Sequence, residues 1–299
     1  MGLMDKVVAG AVLPLVPKFV AKRFAGRYVP GEKLEDALGV VRRLNSLGMS
    51  ATLDVLGEFS SSLNEAMSAS EEYKEVLEAI ADEKLDCNIS LKPTHMGLKV
   101  SRDKCYELIK DMCEKARQTS NFVRIDMEDS STTQDTLDLY ARLRKEYDNV
   151  GTVVQAYLRR TLEDVRVLLA SDTNLRVCKG VYVEPRKIAY KDMAIINDNF
   201  MAIVELMLLN GGYTGIATHD ERLVWRSLDL IRKLNPSQKK YEFQMLWGVE
   251  NELRDIILET GHKLRIYIPY GENWYAYSMR RLKENPALAG HVFKAAFRR

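Results

Sequence analysis

Residues 152–160 read TVVQAYLRR, residues 175–185 read LRVCKGVYVEP and residues 214–220 read TGIATHD. Each run is short, rich in β-branched and apolar residues, and closes on polar side chains. The stretches between them are long enough to hold a crossover helix and too long for a hairpin, which is the pattern of a parallel sheet. Working outward, the same unit recurs upstream as SATLDVLGE (50–58), LDCNISLKPT (85–94) and FVRIDMED (122–129). Downstream it recurs as YEFQMLWGV (241–249) and LRIYIPYG (264–271), which makes eight runs. The intervening Arg102–Gln118 and Thr133–Tyr147 space their apolar residues by three and four, as helices do. Ser101, Ser131 and Asp220 stand where helix caps are expected. Eight strands alternating with helices in about 250 residues is the arithmetic of a (β/α)8 barrel. An open doubly wound sheet usually has fewer strands, and no GxGxxG follows any run. The expectation is therefore an α/β chain: a short N-terminal helical arm over 1–45 and a (β/α)8 TIM-like barrel over 46–299.

Composition narrows the function classes. The 299 residues are 46% hydrophobic and 29% charged, a globular balance that excludes collagenous, disordered and disulfide-scaffold chains. A formal net charge of +2 argues against a nucleic-acid surface. Cys87, Cys105, Cys113 and Cys178 show no CxxC spacing and read as reduced, small hydrophobic residues of a cytoplasmic protein. The four histidines form no HxH or HExxH pair, so no metal is expected.

The first thirty residues differ from the rest, with Lys6, Lys18, Lys22, Arg23 and Arg27 against a single Asp5. The apolar VVAGAVLPLVP between Lys6 and Lys18 is too short to cross a bilayer and is broken by Gly10 and Pro14. It lacks a signal-peptide cleavage site, and Lys6 spoils a myristoylation signal. Two readings stay open: short helices packed on the barrel, or a basic apolar segment lying on the cytoplasmic face of an anionic membrane.

Barrel enzymes build their sites at the carboxyl ends of strands, and here those positions are polar. Lys92 closes the second run, Asp126 and Glu128 the third, and Gln155 lies on the fourth. Arg176, Lys179 and Tyr182 lie on the fifth, Thr218 and His219 on the sixth, Gln244 on the seventh, and Tyr267 and Tyr270 on the eighth. Carboxylates and a lysine on inner strands require partners. Arg176 and Lys179, three apart, cannot both face inward on a regular strand, so the fifth must bulge or end early if both act. Beyond the eighth run, ENWYAYSMRRLKENP places Tyr277, Arg280, Arg281 and Glu284 on one helical face. Its paired guanidinium groups suit a carboxylate, and Glu284 can hold either one. Read from residues alone, the mouth accepts a small anion. An inner-strand lysine (Lys92 or Lys179) beside an acid also suits a Schiff-base aldolase. A barrel without catalysis, serving as a membrane-bound scaffold, is the reading from another class.

RIDMEDS, VVQAY, LRVCKGVY, ATHD, FQMLWG and WYAYSMRRLKEN, in that order, resemble the proline dehydrogenase family in its bacterial single-function form. The likeness spans roughly residues 50–290. It implies a distorted (β/α)8 barrel that binds FAD without a Rossmann domain and oxidises L-proline to Δ1-pyrroline-5-carboxylate by hydride transfer, the first step of proline degradation to glutamate. Arg280 and Arg281 resemble the pair that clamps the proline carboxylate, with Lys92 reaching it too and Asp126 as the lysine's paired partner. Tyr267 and Tyr277 resemble aromatic walls around the ring, and Glu284 the acid that steadies the arginines. Met127, Gln155, Arg176, Lys179, Gly180 and Val181 match flavin contacts, with Arg176 near the reactive nitrogen, and Thr218 and His219 match contacts on the adenosine side. Asp126 and Arg176 are thus the expected catalytic residues. The family implies a membrane quinone as electron acceptor, and its reactive product suggests docking with pyrroline-5-carboxylate dehydrogenase.

Overall fold

Strand β1 (Ser50–Val55) hydrogen-bonds in parallel to β2 (Cys87–Leu91) on one side and to β8 (Leu264–Tyr270) on the other, which closes the sheet. Between them run β3 (Val123–Ile125), β4 (Val150–Gln155), β5 (Asn174–Cys178), β6 (Tyr213–Ala217) and β7 (Tyr241–Leu246), in sequence order around the cylinder. The computed structural model describes residues 26–57, 59–169, 172–275 and 277–279. The expected (β/α)8 barrel is therefore present. The N-terminal arm through residue 25 lies outside the described residues, and no described helix is long and apolar enough to cross a membrane.

The strand pattern follows from what each face meets. Leu53, Ile89, Leu91, Val123, Ile125 and Val177 join one core with side chains of the surrounding helices. Between them stand Asp54, Ser90, Asp126, Arg176, Gln244 and Tyr267. Asp126, Arg176, Gln244 and Tyr267 bond to one another across strands that are not neighbours in the sheet, which only a lumen allows. The outward face is apolar and the inward face polar, with period two.

Helices α2 (Leu63–Asp82), α3 (Arg102–Gln118), α4 (Thr133–Arg144), α5 (Thr161–Leu168), α6 (Met193–Leu209), α7 (Glu221–Leu234) and α8 (Asn251–Glu259) each follow one strand. An additional helix, α1 (Leu34–Ser46), packs against β1 and β8, seating Ala37, Leu38, Val41 and Leu44 in the core. The chain beyond β8 turns back over the carboxyl mouth instead. Asn273 Nδ2 donates to the Leu56 carbonyl at 3.1 Å, and Trp274 Nε1 donates to Glu32 Oε1 at 3.0 Å. Tyr277 is buried with Tyr28, Val29 and Leu56.

Ser101 and Asp220 cap their helices as expected, accepting from Lys104 N and Arg222 N. Ser131 does not. Thr132 holds the cap position of α4, while Asp129 Oδ1 accepts from Ser131 N at 2.9 Å, a carboxylate-closed turn that moves the helix start one residue on. The strands also end earlier than their apolar runs do, because the backbone leaves the ladder just before the polar residues of the mouth. The four cysteines are unpaired, and burial pushes the thiols of Cys87, Cys105 and Cys113 up to about 12 and that of Cys178 to about 11. None supplies a thiolate near neutral pH.

Candidate active site

Asp126 is the hub of the upper lumen. One residue past β3, it accepts from Arg176 Nη1 and Ser90 Oγ at Oδ1, both at 2.7 Å, and from the Tyr267 hydroxyl at Oδ2, 2.8 Å. Arg176 donates its Nε to Gln244 Oε1 at 2.6 Å, and its guanidinium lies 5.1 Å from the Tyr267 ring centroid. Gln244 Nε2 in turn donates to Glu242 Oε1 at 2.7 Å, which fixes the amide's orientation. Gly215 makes room for that amide: a Cβ there would sit 2.6 Å from Gln244 Nε2. Strands β2, β3, β5, β7 and β8 thus lock one guanidinium in a single pose, and networks of this kind are stiff because every member is satisfied.

The sequence reading paired Lys92 with Asp126, and the structure corrects it. Lys92 donates to both oxygens of Asp54 on β1, at 2.7 and 2.8 Å, and Asp54 is only 1% exposed. Asp126 is taken by Arg176. A guanidinium presents several fixed donors and reaches across the lumen, whereas the ammonium of Lys92 settles on the carboxylate of the adjacent strand. Burial alone would lower Lys92, but the charges of Asp54 and then Asp126 outweigh it and hold the lysine above its usual range. A lysine so charged is poorly suited to forming an imine, which speaks against the aldolase reading. Tyr73 completes this corner, donating to Ser90 O at 2.8 Å.

Glu128 turns away from Asp126, accepting from Thr94 N at 2.9 Å and Thr94 Oγ1 at 2.6 Å. Burial raises its carboxyl above the usual range, and the two Thr94 bonds work against that. Asp126 and Glu128, two residues apart, therefore serve different loops, because β3 ends at Ile125. Gln155 ends β4 and donates to the carbonyls of Met127 and Glu128 at 3.3 and 3.2 Å, and its Oε1 is buried without a donor. Met127 is buried beside it.

On the far side β5 stops at Cys178, the early exit that lets Arg176 and Lys179 both serve the mouth. Lys179 pairs with Asp220 at 2.6 Å. Gly180, at φ 101°, lies against the Tyr157 ring, where any Cβ would overlap the ring. Val181 is exposed. Thr218 Oγ1 accepts from Asp220 N at 3.1 Å, and His219 Nε2 accepts from Leu246 N at 2.8 Å, tying the ends of β6 and β7 together. Arg280, Arg281 and Glu284 lie outside the described residues.

A buried acceptor on Gln155 and a fixed guanidinium, both on the β4–β6 side, fit the flavin that the resemblance implies. The acceptor matches a ring N–H.

Sequence reasoning missed Asp54, Ser90 and Tyr73. Asp54 and Ser90 carry a usable signal: they alternate with core residues inside apolar runs, as Arg124 and Asp126 do. Tyr73 sits on α2 and gives none.

His95, in the loop after β2, adds a measurable property. Burial, and then the Lys92 cation, lowers its imidazole to about 4, and Nδ1 has no partner. The folded chain therefore resists protonation that the unfolded chain accepts. Stability due to this group is full above the unfolded value of about 6.5 and is lost as pH falls toward 4, by up to about 3 kcal/mol. Urea unfolding at several pH values should show a steeper acid loss for the wild type than for His95→Asn; parallel curves would reject it.

Residues 37–294 match the proline dehydrogenase family. The chain is 38% identical over 275 residues to proline dehydrogenase 1 of Bacillus subtilis subsp. natto, covering 92% of this chain and 91% of that protein. It is 33% identical over 303 residues to proline dehydrogenase of Deinococcus radiodurans, covering 97% and 98%. The crystal structure of proline utilization A (PutA) from Bdellovibrio bacteriovorus inactivated by N-propargylglycine superposes with a TM-score of 0.83 at 26% identity. That match covers 89% of this chain and 33% of that one, so the chain spans about a third of the larger protein.

Proposed function

The chain belongs to the proline dehydrogenase family, enzymes of proline oxidation in proline catabolism, and from that premise we propose that it converts L-proline to Δ1-pyrroline-5-carboxylate with FAD as its cofactor. The observation that carries the reading is the Asp126–Arg176–Gln244–Tyr267 network at the carboxyl mouth, beside the Lys92–Asp54 pair. Met127, Gln155, Arg176, Lys179, Gly180 and Val181 would hold the flavin ring and phosphates, with Thr218 and His219 toward the adenosine. The bound flavin supplies the hydride acceptor.

The chain's own residues supply placement and charge. Arg280 and Arg281, steadied by Glu284, grip the proline carboxylate, and Lys92 adds a third cation. Tyr267 and Tyr277 wall the ring, so the carbon next to nitrogen is held at the buried end of the mouth. Arg176 carries a fixed positive charge that needs no reorientation as negative charge develops nearby, because Asp126 and Gln244 already hold it. The ring nitrogen must be neutral to release its lone pair, and the cluster of cations disfavours its protonated form.

The visible spectrum of the purified protein tests this directly. A flavin band that bleaches on anaerobic addition of proline is expected, and colourless protein after reconstitution with FAD overturns it. Arg280→Met and Arg281→Met should each raise KM for proline by roughly 10- to 100-fold, the worth of one charge-assisted hydrogen bond, while flavin content holds. Unchanged KM in both variants removes the clamp.

Electrons are proposed to pass to a membrane quinone from a cytoplasmic enzyme resting on the membrane through its basic arm, and the product to pyrroline-5-carboxylate dehydrogenase. Deleting residues 1–27 should then reduce turnover with quinone in anionic vesicles while sparing turnover with a soluble dye. Equal losses in both assays would assign the arm to folding.

A further inference from the structure

The opposite, amino-terminal mouth of the barrel holds a cavity of about 710 Å³, lined by none of the residues placed at the carboxyl mouth. Asn88, Arg124, Asn174, Tyr213, Glu242 and Arg265 line it at the starts of their strands. Its charges do not balance. Glu242 is committed to Arg265 at 2.8 Å and to Gln244 at 2.7 Å. Asp86, at the rim, accepts from the Ser50 hydroxyl at 2.6 Å and lies 3.9 Å from Arg265. Arg124 is 2% exposed and, among the described residues, has no carboxylate within ion-pair distance. Its Nη1 donates to the carbonyls of Thr152 and Asn174, its Nη2 donates to Asn174 Oδ1 at 2.6 Å, and its Nε is buried with no acceptor.

A buried cation without a counter-charge is costly, and proteins rarely tolerate one. Burial, and then the Arg176 cation one layer above, pull the Arg124 guanidinium down to about 9, and the Glu242 charge offsets them only in part. The sequence nevertheless makes space for it: a side chain at Gly151 would collide with Nη1. The rest of the wall offers donors. Asn88 lines the cavity with its Oδ1 already taken by the Thr52 hydroxyl, so only its amide nitrogen is left to bond a ligand, and the carboxylates present are already engaged. A wall with a surplus of donors and one guanidinium that lacks an ion-pair partner among the described residues selects a ligand that only accepts.

We propose that this cavity is a second ligand site, for a small oxyanion (a carboxylate or a phosphate), which supplies the missing counter-charge to Arg124 and takes hydrogen bonds from Asn88.

The test is thermal unfolding of the full-length, flavin-loaded protein with chloride replaced at constant ionic strength by inorganic phosphate or by acetate. Wild type should melt roughly 2–4 °C higher at ten times the dissociation constant. Arg124→Met and Asn88→Leu should both lose that response. Competition with proline reports the carboxylate clamp of the other mouth, so the second site is read from the part of the rise that Arg124→Met and Asn88→Leu lose. A rise with phosphate alone identifies a phosphate site, a rise with acetate alone a carboxylate site, and either supports the proposal. No rise with either anion overturns it. So does a rise that both variants retain, above all one accompanied by competitive loss of proline turnover. Should Arg124→Met fail to fold, Asn88→Asp decides: with its own carboxylate in the cavity it should melt above Asn88→Leu and ignore both anions, and failure on both counts overturns the site.

Discussion

Asp126→Ala is expected to cost about 3–5 kcal/mol of stability, the usual consequence of stranding one partner of a buried ion pair. What it strands is Arg176, 2.7 Å away and almost wholly buried, together with the hydroxyls of Ser90 and Tyr267. In a chain of this size that corresponds to a fall in Tm on the order of 10 °C. Turnover should fall as well, because the guanidinium keeps only its Gln244 anchor. A coupled pair leaves a signature: Asp126→Ala combined with Arg176→Met should be less destabilised than the two single losses added together. Asp126→Asn keeps the shape and an acceptor for Tyr267, so it should fall between wild type and alanine. A variant that melts and turns over like wild type would remove Asp126 from its central place.

Asp54→Ala is expected to be of similar size, by a different route. The lysine it strands is held charged by that carboxylate against the pull of burial. Without Asp54, burial drives Lys92 below its ordinary range, and only the weaker pulls of Asp126 and Glu128 oppose this. Loss of stability should again be about 3–5 kcal/mol. The sign on activity follows: a lysine with a lowered pKa is charged at low pH and neutral at high pH, so KM for proline in the variant should climb as pH rises. Wild type should show no such climb over the same interval. Asp54→Ala with Lys92→Met should recover much of the stability and none of the proline affinity. A flat KM profile with normal melting in Asp54→Ala would separate Lys92 from the substrate.

These two variants mark where the sequence could be read and where it could not. The polar ends of the apolar runs, from Lys92 and Asp126 through Arg176 to Tyr267, did converge on one mouth, because a parallel barrel delivers every strand's carboxyl end to the same rim. The pairing of those ends could not be read. The resemblance implies Asp126 as the partner of Lys92, and the structure gives it Asp54, a residue inside an apolar run. Ser131 misled for a related reason: Asp129 is two residues away and offers a shorter closed turn than the helix cap does.

From its sequence alone the chain declares an eightfold parallel barrel and the rim that carries its polar residues, since strand period, helix period and run length are local properties of neighbouring residues. Which charge answers which, and that a lone guanidinium waits at the barrel floor, were settled only by the closed cylinder. Partners there come from strands 30 to 140 residues apart in the chain, and shear between strands, to which no local pattern is sensitive, chooses among them.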